Sequence, residues 1–257
     1  MATQQAATSH SSDSPAPGPE HPGMVWLVGS GPGAADLLTV RAARLLAQAE
    51  IVLHDALVTP DILALCPQAV LVPVGKRSGQ RSTAQPVINQ KLVEAARQYR
   101  RVVRLKGGDP MLFGRADEEM RALEEHHIPY EIVPGITAAL AAASAAKRPL
   151  TRRGIARSVS LFTSSTGVDE PDEVRMPNGD TLVQYMGGRE ATATAQRLLA
   201  LGHAPDTPVV VVENCSRADQ HIYHLQLAGL EAGLQACSGP VLVMIGPALA
   251  DRNAAPA

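Results

Sequence analysis

Short apolar runs alternate with helical patterns along the first half of the chain. The apolar runs are MVWLVG (24–29), IVLHD (51–55), LVPVGKR (71–77), RVVRLK (101–106) and IPYEIVPG (128–135). Between them, TVRAARLLAQA (39–49) and PVINQKLVEAARQY (86–99) place apolar side chains at helical spacing. Strands that alternate with helices favour an α/β fold with a largely parallel sheet.

The two helical patterns also carry start signals. Thr39 is a plausible N-cap, and Pro86 suits a first helical position. The spacing of the second helix predicts one apolar face, formed by Val87, Ile88, Leu92, Ala95, Ala96 and Tyr99.

A second set of apolar runs follows the alanine-rich stretch ITAALAAASAA (136–146). The predicted strands are SVSLFT (158–163), DTLVQYM (180–186), PVVVVE (208–213) and PVLVMIG (240–246), with a helix at ATATAQRLLALG (191–202). We therefore predict two α/β domains, residues 24–137 and 138–250. Residues 1–23 are rich in Ser, Pro, Ala and Gly and lack a secretory pattern, which predicts a disordered tail.

Polar and glycine-rich turns follow the predicted strands of the first domain. They are GSGPG (29–33), HDALV (54–58), GKR (75–77), GGDP (107–110) and PGITAA (134–139). In parallel sheets, ligands usually bind at the loops that follow the carboxyl ends of the strands. The turns are therefore expected to converge on one crevice.

Composition excludes several classes of function. The formal net charge is −2 and aromatic residues make up 3% of the 257 residues, which argues against a nucleic-acid binder. No apolar run is long enough to cross a membrane. Cys66, Cys215 and Cys237 form no CxxC pair and indicate reduced thiols in a cytoplasmic protein, and His126-His127 reads as a solvated helix end and not as a metal site.

The glycine turns admit more than one interpretation. GSGPGA (29–34) matches the dinucleotide fingerprint, and Asp55 could then bind a ribose, as in a nicotinamide- or flavin-dependent enzyme. Against this, Pro32 removes an N–H from the turn, and the other turns stay unexplained. In RLKGGDPMLFGR (104–115), the glycines allow a ligand to approach the backbone, or Asp109 caps a helix entry.

Taken together, the motifs resemble the tetrapyrrole methylase family. The matching stretches include VWLVGSGPGAADLLTVRA (25–42), LHDALV (53–58), VGKRSG (74–79), RVVRLKGGDPMLFGR (101–115), VPGITAA (133–139), PLTRR (149–153), TLVQYMG (181–187) and VVVEN (210–214). The resemblance implies a two-domain α/β homodimer that binds S-adenosylmethionine between its domains, with no metal. The cofactor contacts that it implies are Pro32, Gly107, Gly108, Asp109, Leu112, Thr137, Ala138, Met186 and Cys215.

The resemblance further implies methylation of uroporphyrinogen III at C2 and C7, giving precorrin-2 by way of precorrin-1. Asp55 is then the candidate general base, and Lys76 the candidate proton donor or charge partner. Because this substrate carries many carboxylates, cations should face it. The candidate substrate-binding residues are Arg77, Arg104, Arg115 and Arg152. Methylation of another precorrin and a non-enzymatic binding role remain alternatives.

The chain departs from the family pattern at three positions that bear on the site. Arg152 stands where histidine is common, Ala56 where arginine is frequent, and Cys215 where glycine is usual. Cys215 can preserve a backbone contact if its φ is negative.

Overall fold

Two five-stranded sheets organise the chain in a computed structural model that describes residues 22–75, 84–165, 175–230, 234 and 237–251. The strands of the first sheet are β1 (Met24–Gly29), β2 (Ile51–His54), β3 (Val70–Pro73), β4 (Arg101–Lys106) and β5 (Tyr130–Val133). Their order is β3-β2-β4-β1-β5, and every neighbouring pair is parallel. The predicted parallel α/β sheet is confirmed.

Helices cover the first sheet on both faces. They are α1 (Val40–Gln48), α2 (Pro60–Leu63), α3 (Gln85–Gln98) and α4 (Ala116–Glu125). The predicted cap of α1 is confirmed, since the Thr39 hydroxyl accepts a hydrogen bond from the Ala42 N–H at 3.1 Å.

The apolar face predicted for α3 is partly wrong. Val87 is 44% exposed, whereas Val93 is buried. The helix packs against α4 as well as β4, so its covered stripe is turned away from Val87. Ile88, Leu92 and Ala96 lie within that stripe, as predicted.

The second sheet is mixed. Its strands are β6 (Val159–Thr163), β7 (Thr181–Tyr185), β8 (Pro208–Glu213), β9 (His221–Gln226) and β10 (Val241–Ile245). Their order is β6-β7-β10-β8-β9; β6 and β7 are parallel, and the other neighbours are antiparallel. The four predicted strands are present. β9 was missed because, as a partly exposed edge strand, it carries two histidines and no long apolar run.

Among the described residues of the second half of the chain, two further α-helices are present, α5 (Ala138–Ala145) and α6 (Ala191–Ala200). Buried alanines of α5, including Ala139 and Ala142, pack on Val183 and Met244 of the second sheet. The predicted domain boundary between residues 137 and 138 coincides with the start of α5. The division of the chain into two domains at this point remains a prediction. The predicted tail falls almost entirely outside the described residues. None of the described helices is long and apolar enough to span a membrane.

Asp180, directly before β7, yields a pH-dependent prediction. Hydrogen bonds from the Arg157 N–H, the Ser158 hydroxyl and the Ser158 N–H lower the pKa of this carboxyl from its ordinary value of 3.8. A carboxyl whose pKa is lowered by folding stabilises the fold above its unfolded pKa, and the contribution disappears as the pH falls through the folded pKa. Asp180→Asn should therefore lower the urea midpoint at pH 7, and the difference from wild type should shrink below pH 3.8.

The exposed Asp206 provides the control, since Asp206→Asn removes a carboxylate from the same sheet end without these bonds. A midpoint difference for Asp180→Asn that stays constant between pH 7 and pH 3 would contradict the assignment.

Candidate functional site

Three turns of the first sheet meet at the carboxyl ends of its central strands. The GSGPG turn follows β1 and the GGDP turn follows β4. They form an antiparallel bridge in which Gly31 N–H donates to Gly108 O at 3.1 Å and Gly108 N–H donates to Gly31 O at 2.8 Å. The convergence expected from the strand order is therefore present for these two turns.

The PGIT turn (134–137), after β5, completes the arrangement by backbone contact. A Cβ on Gly135 would lie 2.2 Å from Gly108 O, and a Cβ on Gly29 would lie 2.6 Å from the same oxygen. Real Cβ atoms do not approach backbone that closely, so both positions require glycine.

Asp109 ties these turns together through its side chain. One carboxylate oxygen accepts from Met111 N–H at 2.8 Å, and the other accepts from Gly135 N–H at 3.0 Å. The carboxylate thus stabilises its own turn and links it to the PGIT turn. It caps no helix, because the next helix, α4, begins at Ala116, and so the capping interpretation is wrong. A ligand at this place would meet the backbone of the GGDP turn before it met this side chain.

The backbone of the GGDP turn faces open space. Gly108 has a φ of +67°, and a Cβ added there meets no described atom within 4 Å. At Gly107, an added Cβ meets the Leu57 side chain at 3.3 Å. Such a bare turn allows close approach of a ligand that accepts backbone hydrogen bonds, which fits the cofactor inferred from the sequence.

The second sheet reaches the same place through Tyr185, at the end of β7. Its hydroxyl accepts from Ala139 N–H at 3.1 Å and is hydrogen-bonded to the Thr137 hydroxyl. Its ring lies 5.0 Å from that of Phe113, centroid to centroid, in the segment after the GGDP turn. Thr137 and Ala138 are therefore held between the two sheets.

Two turns of the second domain have strained backbone beside this junction. Met186 has a φ of 56° and is half exposed. In the turn after β8, Asn214 and Ser216 have φ values of 49° and 60°, and Cys215 between them is not among the residues with positive φ. Cys215 thus meets the condition under which it can replace glycine, and burial raises the pKa of its thiol to about 11.

The turn after β8 also contacts the GSGPG turn. The Ser216 hydroxyl accepts from Ala34 N–H at 3.0 Å, and Arg217 donates to Leu57 O at 2.8 Å. Pro32 is half-buried beside these contacts, and Leu112 is half-buried beyond the GGDP turn. Strained non-glycine backbone commonly marks functional turns, which supports a ligand site between the domains.

Asp55 lies directly after β2, at the same sheet edge. Its side chain is 29% exposed, and one carboxylate oxygen pairs with Arg104 Nη2 at 2.5 Å. Its N–H donates to Leu105 O at 3.1 Å, which places it beside the end of β4. A carboxylate that is held by one cation and still reaches solvent can accept a proton from a ligand.

Arg104 departs from the role inferred from the sequence. Its side chain is 3% exposed, and its Nε pairs with Glu119 at 2.8 Å. Burial acts to lower the pKa of this guanidinium, but the charges of Asp55 and Glu119 outweigh it, so the net pKa is raised. Arg104 is buried between Asp55 and Glu119, and this burial removes it from the proposed substrate-binding residues.

The other predicted cations lie in different surroundings. Arg115 is exposed and pairs with Glu118 at 2.7 Å, and Arg152 is half-buried at a small hairpin closed on Ala156. Lys76 and Arg77 lie outside the described residues. His126 is exposed at the end of α4, and the described part of the chain holds no cluster of three or more His, Cys, Asp or Glu side chains that could bind a metal.

Sequence reasoning missed Tyr185, Ser216 and Glu119. Tyr185 was interpreted only as part of an apolar strand. Ser216 was not selected, although the resemblance implied a cofactor contact at the neighbouring Cys215. Glu119 lies in the run ADEEMRALEE, where a buried acid looks like its exposed neighbours. The available signal was helical spacing, since Glu119 lies four residues before the buried Leu123.

Comparisons with known proteins agree with this geometry. The family model described as Tetrapyrrole (Corrin/Porphyrin) Methylases matches residues 24–231. The chain is 48% identical to a uroporphyrinogen-III C-methyltransferase of Pseudomonas aeruginosa, over 89% of this chain and 95% of that protein.

Two further matches are a longer relative and a solved structure. A sirohaem synthase of Hydrogenovibrio crunogenus is 43% identical over 90% of this chain, which spans 50% of that protein. A crystal structure of uroporphyrin-III C-methyl transferase from Thermus thermophilus, complexed with S-adenosyl homocysteine, matches with a TM-score of 0.76. It is 38% identical, and the match covers 88% of this chain and 93% of that one.

Proposed function

Because the chain belongs to the tetrapyrrole methylase family, we propose that it transfers methyl groups from S-adenosylmethionine to C2 and C7 of uroporphyrinogen III. The product is precorrin-2, formed by way of precorrin-1, a step of sirohaem and cobalamin synthesis. The observation that carries the proposal is the meeting of the GSGPG, GGDP and PGIT turns beside Asp55, in a chain so similar to the Pseudomonas enzyme.

In this proposal the turns bind and orient the methyl donor. The backbone of Gly107 and Gly108, open at Gly108, contacts the donor from the first domain, and Thr137, Ala138 and the Met186 turn enclose it from the other side. The donor supplies an electrophilic methyl group on a sulfonium. Enclosure between the domains aligns the reacting carbon and excludes water.

Asp55 removes the proton that the macrocycle releases when its double bonds rearrange after a ring carbon has accepted the methyl group. Asp55 lies at the sheet edge where the turns meet, its side chain is 29% exposed, and Arg104 pairs with one of its oxygens. Arg115, Arg152 and, outside the described residues, Arg77 remain the proposed partners of substrate carboxylates, with Lys76 as a proton donor or charge partner. Arginine suits this role because its fork matches a carboxylate.

The test is to incubate the purified protein with S-adenosylmethionine and uroporphyrinogen III. Absorbance should change as a dipyrrocorphin forms, and mass spectrometry should count two added methyl groups. Calorimetry should detect binding of S-adenosyl homocysteine and none of NADH. Binding of NADH without methyl transfer would favour the oxidoreductase alternative and sink the proposal.

We also propose that the protein is a cytoplasmic homodimer. The free thiols of Cys66, Cys215 and Cys237 support a reducing compartment. For the dimer, the support is an apolar surface along α5 and the edge strand β6, where Leu140 is 60% exposed and Leu161 38% exposed beside a cavity of about 600 Å³. A second copy would cover this surface.

Light scattering after size exclusion tests the dimer. Wild type should elute at twice the chain mass of 27.0 kDa, and Leu140→Asp should shift it towards the monomer, because a charge replaces an apolar contact. Leu201→Asp is the matched control, since Leu201 is equally exposed at the end of α6. A monomeric wild type, or a dimer that Leu140→Asp leaves intact, would contradict this surface assignment.

A further inference from the structure

Behind Asp55, four charged side chains form a buried chain of alternating sign. Asp55 pairs with Arg104, Arg104 with Glu119 at 2.8 Å, and Glu119 with Lys106 at 2.7 Å. Side-chain exposure is 3% for Arg104, 0% for Glu119 and 2% for Lys106, so Asp55 alone among the four reaches solvent. The two cations and two carboxylates balance.

Glu119 is the centre of this network. One of its oxygens accepts from Arg104 Nε, and the other accepts from Lys106 Nζ. Gln85 Nε2 adds a long contact of 3.4 Å from α3. Glu119 is in the first turn of α4, and its carboxylate lies against the end of β4. Without it, the two buried cations of β4, Arg104 and Lys106, would lack this shared carboxylate.

The orientation of Arg104 depends on these contacts. Its Nη1 donates to Leu105 O at 3.1 Å, its Nε to Glu119 and its Nη2 to Asp55. A guanidinium is planar, so fixing the Nε side also fixes the direction in which Nη2 points. Glu119 therefore sets the place of the Asp55 carboxylate through a rigid intermediate.

We propose that Glu119 is a positioning residue for methyl transfer, which holds Arg104 so that its outer amino group fixes Asp55 at the sheet edge. The inference rests on the proposed function, in which Asp55 accepts the proton. Glu119 also sets the charge that Asp55 experiences, because it neutralises part of the attraction of Arg104 and Lys106.

The charges of the network act on one another. Among the described residues, Arg104 pairs with Asp55 directly, Glu119 and Lys106 lie behind Arg104, and the His54 ring contacts the Asp55 carbonyl oxygen at 3.2 Å. Burial, followed by repulsion from Arg104, lowers the pKa of Lys106, and Glu119 opposes that shift. Removing the charge of Glu119 thus leaves Arg104 as the dominant charge at Asp55.

Glu119→Gln is the first variant. We expect kcat to fall by about tenfold, since general bases contribute far more than this when correctly placed. The KM for S-adenosylmethionine should not change, because the donor contacts other turns. Glu125→Gln, an exposed acid of the same helix, should leave both kcat and this KM as in wild type.

A double variant separates positioning from simple neutralisation. Lys106→Met together with Glu119→Gln removes one cation and one carboxylate, so the buried charges balance again and the thermal stability lost in Glu119→Gln should return in part. If Glu119 acts on Asp55 through Arg104, kcat should remain that of the single variant. Recovery of wild-type kcat in the double variant would overturn the proposal.

The wild-type assay distinguishes the two levels of inference. Wild-type protein that binds S-adenosyl homocysteine but methylates no tetrapyrrole would refute the proposed function. Active wild type with a Glu119→Gln variant of unchanged kcat would refute the positioning role and leave the function intact.

Discussion

Replacing Gly135 with alanine is expected to abolish binding of S-adenosylmethionine and to lower the free energy of unfolding by about 3 kcal/mol. The added Cβ would lie 2.2 Å from Gly108 O and 2.9 Å from the backbone of Gly29. Both contacts are with backbone, so no side-chain rotation can relieve them. The PGIT turn would have to separate from the other two turns, and the proposed donor site would open.

Calorimetry with S-adenosyl homocysteine and a urea titration measure the two effects of Gly135→Ala. Gly229→Ala is the matched control, since a Cβ added at Gly229 meets no described atom within 4 Å and its φ is not in the positive range. Donor binding of wild-type strength by the Gly135 variant would show that the close packing of the turns is not required for the site.

Much of the fold follows from the sequence because each central strand is a nearly continuous apolar run. In β4 every residue except Arg101 is buried, which is typical of a parallel strand covered by helices on both faces. The ends of β1 and β4 matched the predicted runs, and the turns after parallel strands must lie at one edge. That topological rule, and not any single motif, predicted where the site residues meet.

The same burial explains why the role of Arg104 was missed. A strand that helices cover on both faces has no alternation of polar and apolar residues. A buried charged residue near its end therefore cannot be told from the sequence apart from an exposed one. In the structure, successive residues of β4 instead contact different helices. Val102 packs with the core under α3, and Val103 and Leu105 pack with the core under α1. Arg104 and Lys106 share the face of Val102, where α4 supplies Glu119.

The junction of the domains could not be predicted from local patterns either. Tyr185 joins α5, the PGIT turn and Phe113 across at least 46 residues of sequence. These contact partners of Tyr185 are distant in sequence and come together only in the folded chain. The resemblance selected the neighbouring Met186, but the hydroxyl that orders Thr137 and Ala139 belongs to Tyr185.

Asp55→Asn should reduce kcat by roughly 10²–10⁴-fold, the range over which a correctly placed general base contributes. The amide keeps the size of the carboxylate and can still accept from Arg104, so the turn after β2 should stay in place. The fold should tolerate the lost charge, because Arg104 keeps its buried pair with Glu119. Affinity for S-adenosyl homocysteine should be unchanged, since the donor contacts proposed here lie on other turns.

Single-turnover rates with uroporphyrinogen III and calorimetry with S-adenosyl homocysteine give the two readouts for Asp55→Asn. Asp61→Asn is the control, because Asp61 is exposed six residues further along the chain and belongs to α2. A rate equal to wild type would assign proton removal to another group. Loss of donor binding together with rate would instead make Asp55 part of the framework that holds the turns, because a group that acts only on the proton cannot change the affinity for a donor it does not touch.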